Sequence, residues 1–182
     1  TTGALAFWNG SYRMVIDNTG KVGIGTTSPS APLDISSSAT GGTTIELDNT
    51  STGGRNWTLY SSGSGNSFGA GKFALYDADA ASVRMLIDTS GNVGIGTTSP
   101  STRLEVADSI PILRITGTRN ASWTVGQTMA SLEYFSEDAS GSSANSVRAS
   151  INLVNETSVY GSTTGLAFST KGDVAGLPSE RL

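Results

Sequence analysis

The run Arg84-Met85-Leu86-Ile87-Asp88-Thr89-Ser90-Gly91-Asn92-Val93-Gly94-Ile95-Gly96-Thr97-Thr98-Ser99-Pro100 occurs twice in this chain. Its earlier copy is Arg13-Met14-Val15-Ile16-Asp17-Asn18-Thr19-Gly20-Lys21-Val22-Gly23-Ile24-Gly25-Thr26-Thr27-Ser28-Pro29. The likeness continues to Leu33-Asp34-Ile35 against Leu104-Glu105-Val106. Internal repetition on this scale restricts the fold to an array of like units.

The unit reads as a tight β-hairpin. Side chains alternate along a strand, so Met14 and Ile16 share one face while Arg13, Val15 and Asp17 share the other. Asp17-Asn18-Thr19-Gly20 has aspartate first and glycine fourth, which suits a type I turn followed by a left-handed residue; Asp88 to Gly91 repeats it. The return strand Val22-Gly23-Ile24-Gly25 is apolar on one face and bare on the other. Glycine costs backbone entropy in a strand, so its alternation there implies a close approach by another group. Pro29 and Pro100 push the preceding serines toward extended geometry and end the ladder.

Elsewhere the segments are short, β-rich and bounded by turn formers, the pattern of an all-β chain. Leu5 to Trp8 reads as a strand leading through Asn9-Gly10 into the first unit. Thr43 to Asp48, Trp57 to Tyr60 and Lys72 to Tyr76 read as strands of a spacer. Ile110 to Ile115 reads as an edge strand with proline near its start. Trp123 to Gly126, Ala130 to Phe135, Val147 to Val154 and Gly165 to Phe168 supply four more, and the block of about 109–170 suits a small β-sandwich. Gly165-Leu166-Ala167-Phe168 echoes Gly3-Ala4-Leu5-Ala6-Phe7, and Arg181-Leu182 stands where Arg13-Met14 and Arg84-Met85 stand. The division expected is therefore 1–35, the end of one module plus the first hairpin; 36–83, a β spacer; 84–106, the second hairpin; and 107–182, a larger β module leading into a third repeat. The N-terminal residues match no signal pattern, and the fragment is expected to lie inside a longer polypeptide.

Composition narrows the chemistry. There is no cysteine and no histidine, which removes disulfides, thiolate and imidazole metal sites, and Ser-His or Cys-His catalysis. Net charge is −4 with 14% charged residues, so no basic footprint for nucleic acid or an anionic membrane surface is present. No apolar run of about 18 residues exists to insert into a membrane. Hydrophobic residues make up only 36%, so a lone monomer has a thin core and burial between identical chains is expected.

Gly23-Ile24-Gly25 and Gly94-Ile95-Gly96 resemble a phosphate loop superficially, but the third glycine and the following helix are missing. Asp77-Ala78-Asp79 lacks the glycine and terminal glutamate of a calcium-binding EF-hand loop and reads as a solvated turn. A hydrolase needs two carboxylates flanking a bond; Glu133, Glu137, Asp138 and Asp77 are available, but carboxylates on exposed strands and loops are ordinary. No catalytic, cofactor or metal residue is therefore assigned. Among the aromatics, Trp8, Trp57 and Tyr160 are candidate glycan contacts, since each offers an apolar body with a polar tip. The competing role for aromatics in a chain so poor in bulk is to fill the β core or an interface.

The run Arg-Met-x-Ile-Asp-x-x-Gly-[Lys/Asn]-Val-Gly-Ile-Gly-Thr-Thr-Ser-Pro resembles the repeats of bacteriophage tail fibres, especially those of environmental and marine phages. Pro111 to Ile115, Trp123 to Gly126, Ser131 to Gly141 and Thr164 to Gly172 look like a module that this family places between repeats. The resemblance implies an elongated homotrimeric fibre of hairpin collars separated by β-sandwich-like or β-prism modules. It carries over no catalytic residue, and the Ser-Lys chemistry of a self-cleaving chaperone is not visible. In such a trimer, Met14, Ile16, Val22, Gly23, Ile24 and Gly25, with Met85, Ile87, Val93, Gly94, Ile95 and Gly96, are the expected packing residues. The expected partners are two further copies, other fibre segments and a host-surface glycan, and the expected place is the virion. Three functions follow: a shaft segment, a module that itself binds host polysaccharide, and a glycan hydrolase of the tailspike type.

Overall fold

A computed structural model describes residues 3–116, 125–126, 128–136, 146–155, 164–170 and 179–180. Its strands are β1 (Leu5–Trp8), β2 (Tyr12–Ile16), β3 (Val22–Ile24), β4 (Leu33–Ile35), β5 (Gly42–Asp48), β6 (Asn56–Ser62) and β7 (Phe73–Asp77). These are followed by β8 (Ser82–Ile87), β9 (Val93–Ile95), β10 (Leu104–Val106), β11 (Thr128–Ser136), β12 (Ser146–Asn155), β13 (Thr164–Thr170) and β14 (Ser179–Glu180). The described residues contain no helix, so the chain is all-β. They form three sheets, ordered β1-β2-β3-β4, β10-β9-β8-β7-β6-β5 and β11-β12-β13-β14.

The two copies of the repeat fold alike, with corresponding backbone hydrogen bonds. Asp17 C=O accepts from Gly20 N–H at 3.1 Å and Asp88 C=O from Gly91 N–H at 3.0 Å. Gly20 (φ 85°) and Gly91 (φ 79°) take the left-handed position expected of them. The aspartate side chain adds a second tie: Asp17 Oδ1 accepts from Thr19 and Lys21 N–H, and Asp88 Oδ1 from Ser90 and Asn92 N–H. Arg13 and Arg84 are the extra residues of a β-bulge, since Trp8 pairs with Tyr12 while Phe7 pairs with Met14, and Tyr76 with Val83 while Leu75 pairs with Met85. The bulge carbonyls of Arg13 and Arg84 accept from Gly25 and Gly96 N–H, each at 3.2 Å.

The unit is larger than a hairpin. After Thr-Thr-Ser-Pro the chain turns back and adds a short parallel strand, β4 on β3 and β10 on β9. Ser30 donates its N–H and hydroxyl to Asp34, and Ser101 donates both to Glu105, which closes this return in each copy. Pro29 and Pro100 are buried within it.

Strand pairing shows one arrangement sampled three times. β7 and β8 pair as β1 and β2 do, with Phe73, Ala74 and Leu75 in the places of Leu5, Ala6 and Phe7. β13 carries Leu166-Ala167-Phe168 at the same phase and pairs with β14. The middle sheet holds all six strand positions; the first sheet holds the last four and the third sheet the first four. The middle sheet runs without a break across the 83/84 position expected to separate spacer from hairpin. By spatial clustering, residues 1–112 form one compact unit and 113–182 another.

One expectation is corrected. Residues 110–116 are not a strand, because Pro111 lacks a donor and no described strand pairs with them; Ile110, Ile112, Leu113 and Ile115 are exposed. The described residues of 113–182 form one four-stranded sheet, β11-β12-β13-β14. Ala130 to Phe135, Val147 to Val154 and Gly165 to Phe168 are strands as read. Trp123, Thr124, Glu137, Asp138, Tyr160, Arg181 and Leu182 lie outside the described residues.

Candidate functional site

Directly paired residues of neighbouring strands share a face, so the strand register defines the rungs that cross each sheet. In the middle sheet, Ile45, Leu59, Leu75, Met85, Ile95 and Val106 form an unbroken apolar rung over six strands. Beside it, Phe73, Ile87, Val93 and Leu104 continue an apolar rung over β7 to β10, and Leu47 and Trp57 extend the band on β5 and β6. The first sheet repeats the two rungs as Phe7, Met14, Ile24 and Ile35 and as Leu5, Ile16, Val22 and Leu33. The third has Leu132, Ile151 and Phe168 beside Ala130, Leu153 and Leu166.

None of these rungs is fully covered by the described chain. Leu5 is 58% exposed, Leu33 55%, Leu47 62%, Leu104 60% and Leu166 59%. Soluble monomers rarely leave apolar side chains contiguous on this scale. Within residues 1–112 the two sheets share this surface: Leu33 and Ile35 of β4 line an apolar cleft of about 260 Å³ with Ile45, Leu59 and Phe73.

The opposite face of the middle sheet holds its small core. Phe68, from the loop between β6 and β7, lies on Ala74 and Leu86, flanked by Tyr60, Tyr76 and Val83. Tyr60 meets Phe68 edge-on at 5.5 Å and Tyr76 edge-on at 5.6 Å, the arrangement that ring quadrupoles favour. In the third sheet the corresponding face is polar: Ser131 Oγ donates to Asn152 Oδ1, and Asn152 Nδ2 donates to Ser150 and Ser169.

The expected packing residues divide between these faces. Met14, Ile16, Val22, Ile24, Met85, Ile87, Val93 and Ile95 all stand on the apolar rungs, Ile24 and Ile95 exposed and the other six half-buried. Gly23 and Gly94 are buried on the other face, where a Cβ would meet Thr26 O at 2.5 Å or Thr97 O at 2.6 Å. Gly25 (φ 72°) and Gly96 (φ 74°) are left-handed, and a Cβ there would strike the carbonyl oxygen of Ser36 or Ala107. The close approach that these glycines admit is thus, in each case, the chain's own backbone.

Among the glycan candidates, Trp8 is 67% exposed and occupies the position of Tyr76, which in the six-stranded sheet belongs to the core beneath Phe68. Trp57 is half-buried on the apolar band opposite Leu47. It also lines a shallow depression at the β5–β6 turn with Glu46, Asp48, Asn49 and Arg55.

Asp77 departs from the solvated turn expected of it. It is 2% exposed, and its carboxylate accepts from Arg55 at 3.0 Å, Arg84 at 2.6 Å and Ala80 N–H. The Arg84 guanidinium, above all, holds it below the usual carboxylate range against the opposing effect of burial. The partners lie 22 residues before it and seven after, so only the recurrent bulge arginine hinted at the knot. Among the described residues no group of three or more His, Cys, Asp or Glu could hold a metal ion. No helix of the described residues is long and apolar enough to cross a membrane. No family model matches the chain, and no curated protein matches it.

Proposed function

We propose that this chain is a structural segment of a trimeric viral tail fibre, one that extends a host-recognition tip and helps attach the virion to its host. The observation that carries the reading is the recurrence of the same incompletely covered apolar rungs in every sheet. Three copies turned inward would bury those rungs, supplying the core that each chain lacks. The opposite faces would point outward, the middle sheet keeping its Phe68 core there and the turn carboxylates and serine ties meeting water. In this role the repeat is a collar and not an active motif, and no residue is assigned catalytic work. The partners are two further copies and adjoining fibre segments.

Sedimentation equilibrium of the isolated segment tests this, with the mass of three chains expected. A stable monomer would overturn it. A second reading, direct binding of host-surface polysaccharide, draws on the Trp57 depression and its polar rim. It predicts retention of the segment on host polysaccharide, weakened by Trp57→Ala; the shaft reading expects no retention.

A further inference from the structure

We propose that the Asn9-Gly10 turn is a site of self-modification. In the folded chain Asn9 deamidates through a succinimide, giving the first sheet the turn carboxylate that the middle sheet carries by sequence.

The chemistry needs a side-chain amide beside a backbone nitrogen that is neither crowded nor engaged. Asn9-Gly10 is the one Asn-Gly step in the chain. Both residues are exposed, and among the described residues nothing accepts from Gly10 N–H. Gly10 is left-handed (φ 71°), and no atom lies within 4 Å of where its Cβ would stand. Its nitrogen is therefore open to the neighbouring side chain, and glycine's backbone freedom lets the turn reach the ring geometry. Other asparagines lack these conditions. Thr19, after Asn18, is β-branched and its N–H donates to Asp17 Oδ1 at 2.8 Å. Val93, after Asn92, is β-branched too, and its N–H donates to the Arg103 carbonyl at 2.9 Å. Asn66 is fixed through both ends of its amide, by Gly41 and Phe68.

The reaction needs only water. Gly10 N loses its proton to solvent and attacks Asn9 Cγ, closing a five-membered ring as the Cγ–Nδ2 bond breaks and ammonia leaves. Water then opens the ring. Addition at Cγ breaks its bond to the ring nitrogen and yields aspartate. Addition at the backbone carbonyl yields isoaspartate, with the chain rerouted through Cβ.

Position gives the product its effect. Asn9 stands where Asp77 stands, and Arg13 where Arg84 does, each arginine at the same bulge. Arg84 donates to Asp77 at 2.6 Å, while among the described residues no carboxylate pairs with Arg13. The aspartate product sets an acid near that arginine. The isoaspartate product lengthens the turn by a methylene and loosens β1, which pairs with β2 alone among the described strands.

Trypsin separates the reactive asparagine from its internal control. Cleavage after Arg13 and Lys21 gives peptide 1–13, whose only asparagine is Asn9, and peptide 14–21, whose only asparagine is Asn18. The folded chain, its β-sheet verified by circular dichroism, is held warm at mildly alkaline pH and then digested briefly beside an unincubated sample. Mass spectrometry reads the amide-to-acid exchange, and methylation by isoaspartyl methyltransferase reads the rerouted product. Loss of most of the parent peptide 1–13 to both acids is expected, with peptide 14–21 unchanged. A peptide 1–13 that stays intact in the folded chain would overturn the proposal; conversion in urea alone would show that the turn shields Asn9. Equal conversion of both peptides in the folded chain would overturn it as well, since the held Thr19 N–H would then confer no protection.

Discussion

The first and middle sheets contain the same bulge, turn and parallel return, yet they bury them differently. Ala74 is fully buried, whereas Ala6, its counterpart, is exposed. The middle sheet has two more strands and the loop that lays Phe68 over Ala74 and Leu86; the first sheet has neither. Asp77 is likewise locked between two arginines, while Asn9 stands in its place and closes a three-residue turn to Ser11. Backbone geometry in the repeat is therefore set by local residues, and burial by what is added to it. Substitutions that act on geometry should strike both sheets alike, and those that act on burial should strike one.

The largest effect is expected at the left-handed glycines. Gly96→Val combines the left-handed penalty of ~1–2 kcal/mol with a collision against the Ala107 carbonyl, and should cost about 4 kcal/mol or more. Gly25→Val faces Ser36 in the same way and should cost about as much. Amide hydrogen exchange, read separately for β2–β3 and β8–β9, checks both. A loss in one sheet only would break the claim that the geometry is local. Gly91→Asn, at a turn position that asparagine tolerates and where a Cβ meets only Arg103 Nη1 at 3.7 Å, should be far milder than Gly94→Val, whose Cβ meets backbone.

Phe68→Ala comes next and should divide the sheets. Removing the ring uncovers Ala74 and Leu86 and should cost about 3 kcal/mol, at the low end for Phe→Ala because Phe68 retains 9% exposure. Exchange in β7 and β8 should accelerate while β1 and β2 keep their protection. Equal acceleration in both would mean that the sheets are not separate in their packing.

Much of this was legible in the chain. The turn showed through aspartate and glycine three positions apart, and the strand faces through Met14 and Ile16 alternating with Val15. The parallel strands were not, since three residues such as Leu33-Asp34-Ile35 are too few for a periodic signal and their partner lies on the far side of a proline loop. The core showed poorly as well: Phe68 sits among Ser, Gly and Asn, and the composition of its loop suggests only flexibility. The Asp77 knot depends on Arg55, which no local pattern connects to it. The apolar rungs fall between these cases, for each strand displays its alternation but only the register aligns six of them.

Acid should separate the sheets in a smaller way. Asp77 is held below its ordinary value, so its contribution is present above that value, 3.8, and is lost as pH falls through the lowered folded value. Protection in β7–β8 should therefore fall below about pH 4, and Asp77→Asn should remove most of that dependence. Asn9 has no carboxylate to protonate, so β1–β2 should lack this component. Thermal unfolding followed across pH 2–6, with Asp77→Asn beside the parent, checks it, and an unchanged acid transition in the variant would remove the knot from the account.

The smallest expected effect tests the symmetric side. Asp17 and Asp88 each accept two backbone N–H bonds across their turns, and each is held below the ordinary carboxylate value, Asp17 chiefly by Thr19 and Asp88 chiefly by Asn92. Replacement by alanine frees two turn amides in each collar, one exposed and one half-buried, so each variant should lose only a little stability. What matters is equality. The turns differ in their side chains, Thr19 Oγ1 donating to Asp17 where Asn92 Nδ2 donates to Asp88. If the backbone bonds dominate, Asp17→Ala and Asp88→Ala match within a few tenths of a kcal/mol. A clear excess at Asp88 would assign the difference to the Asn92 contact, and would make the two collars alike in shape but unlike in strength.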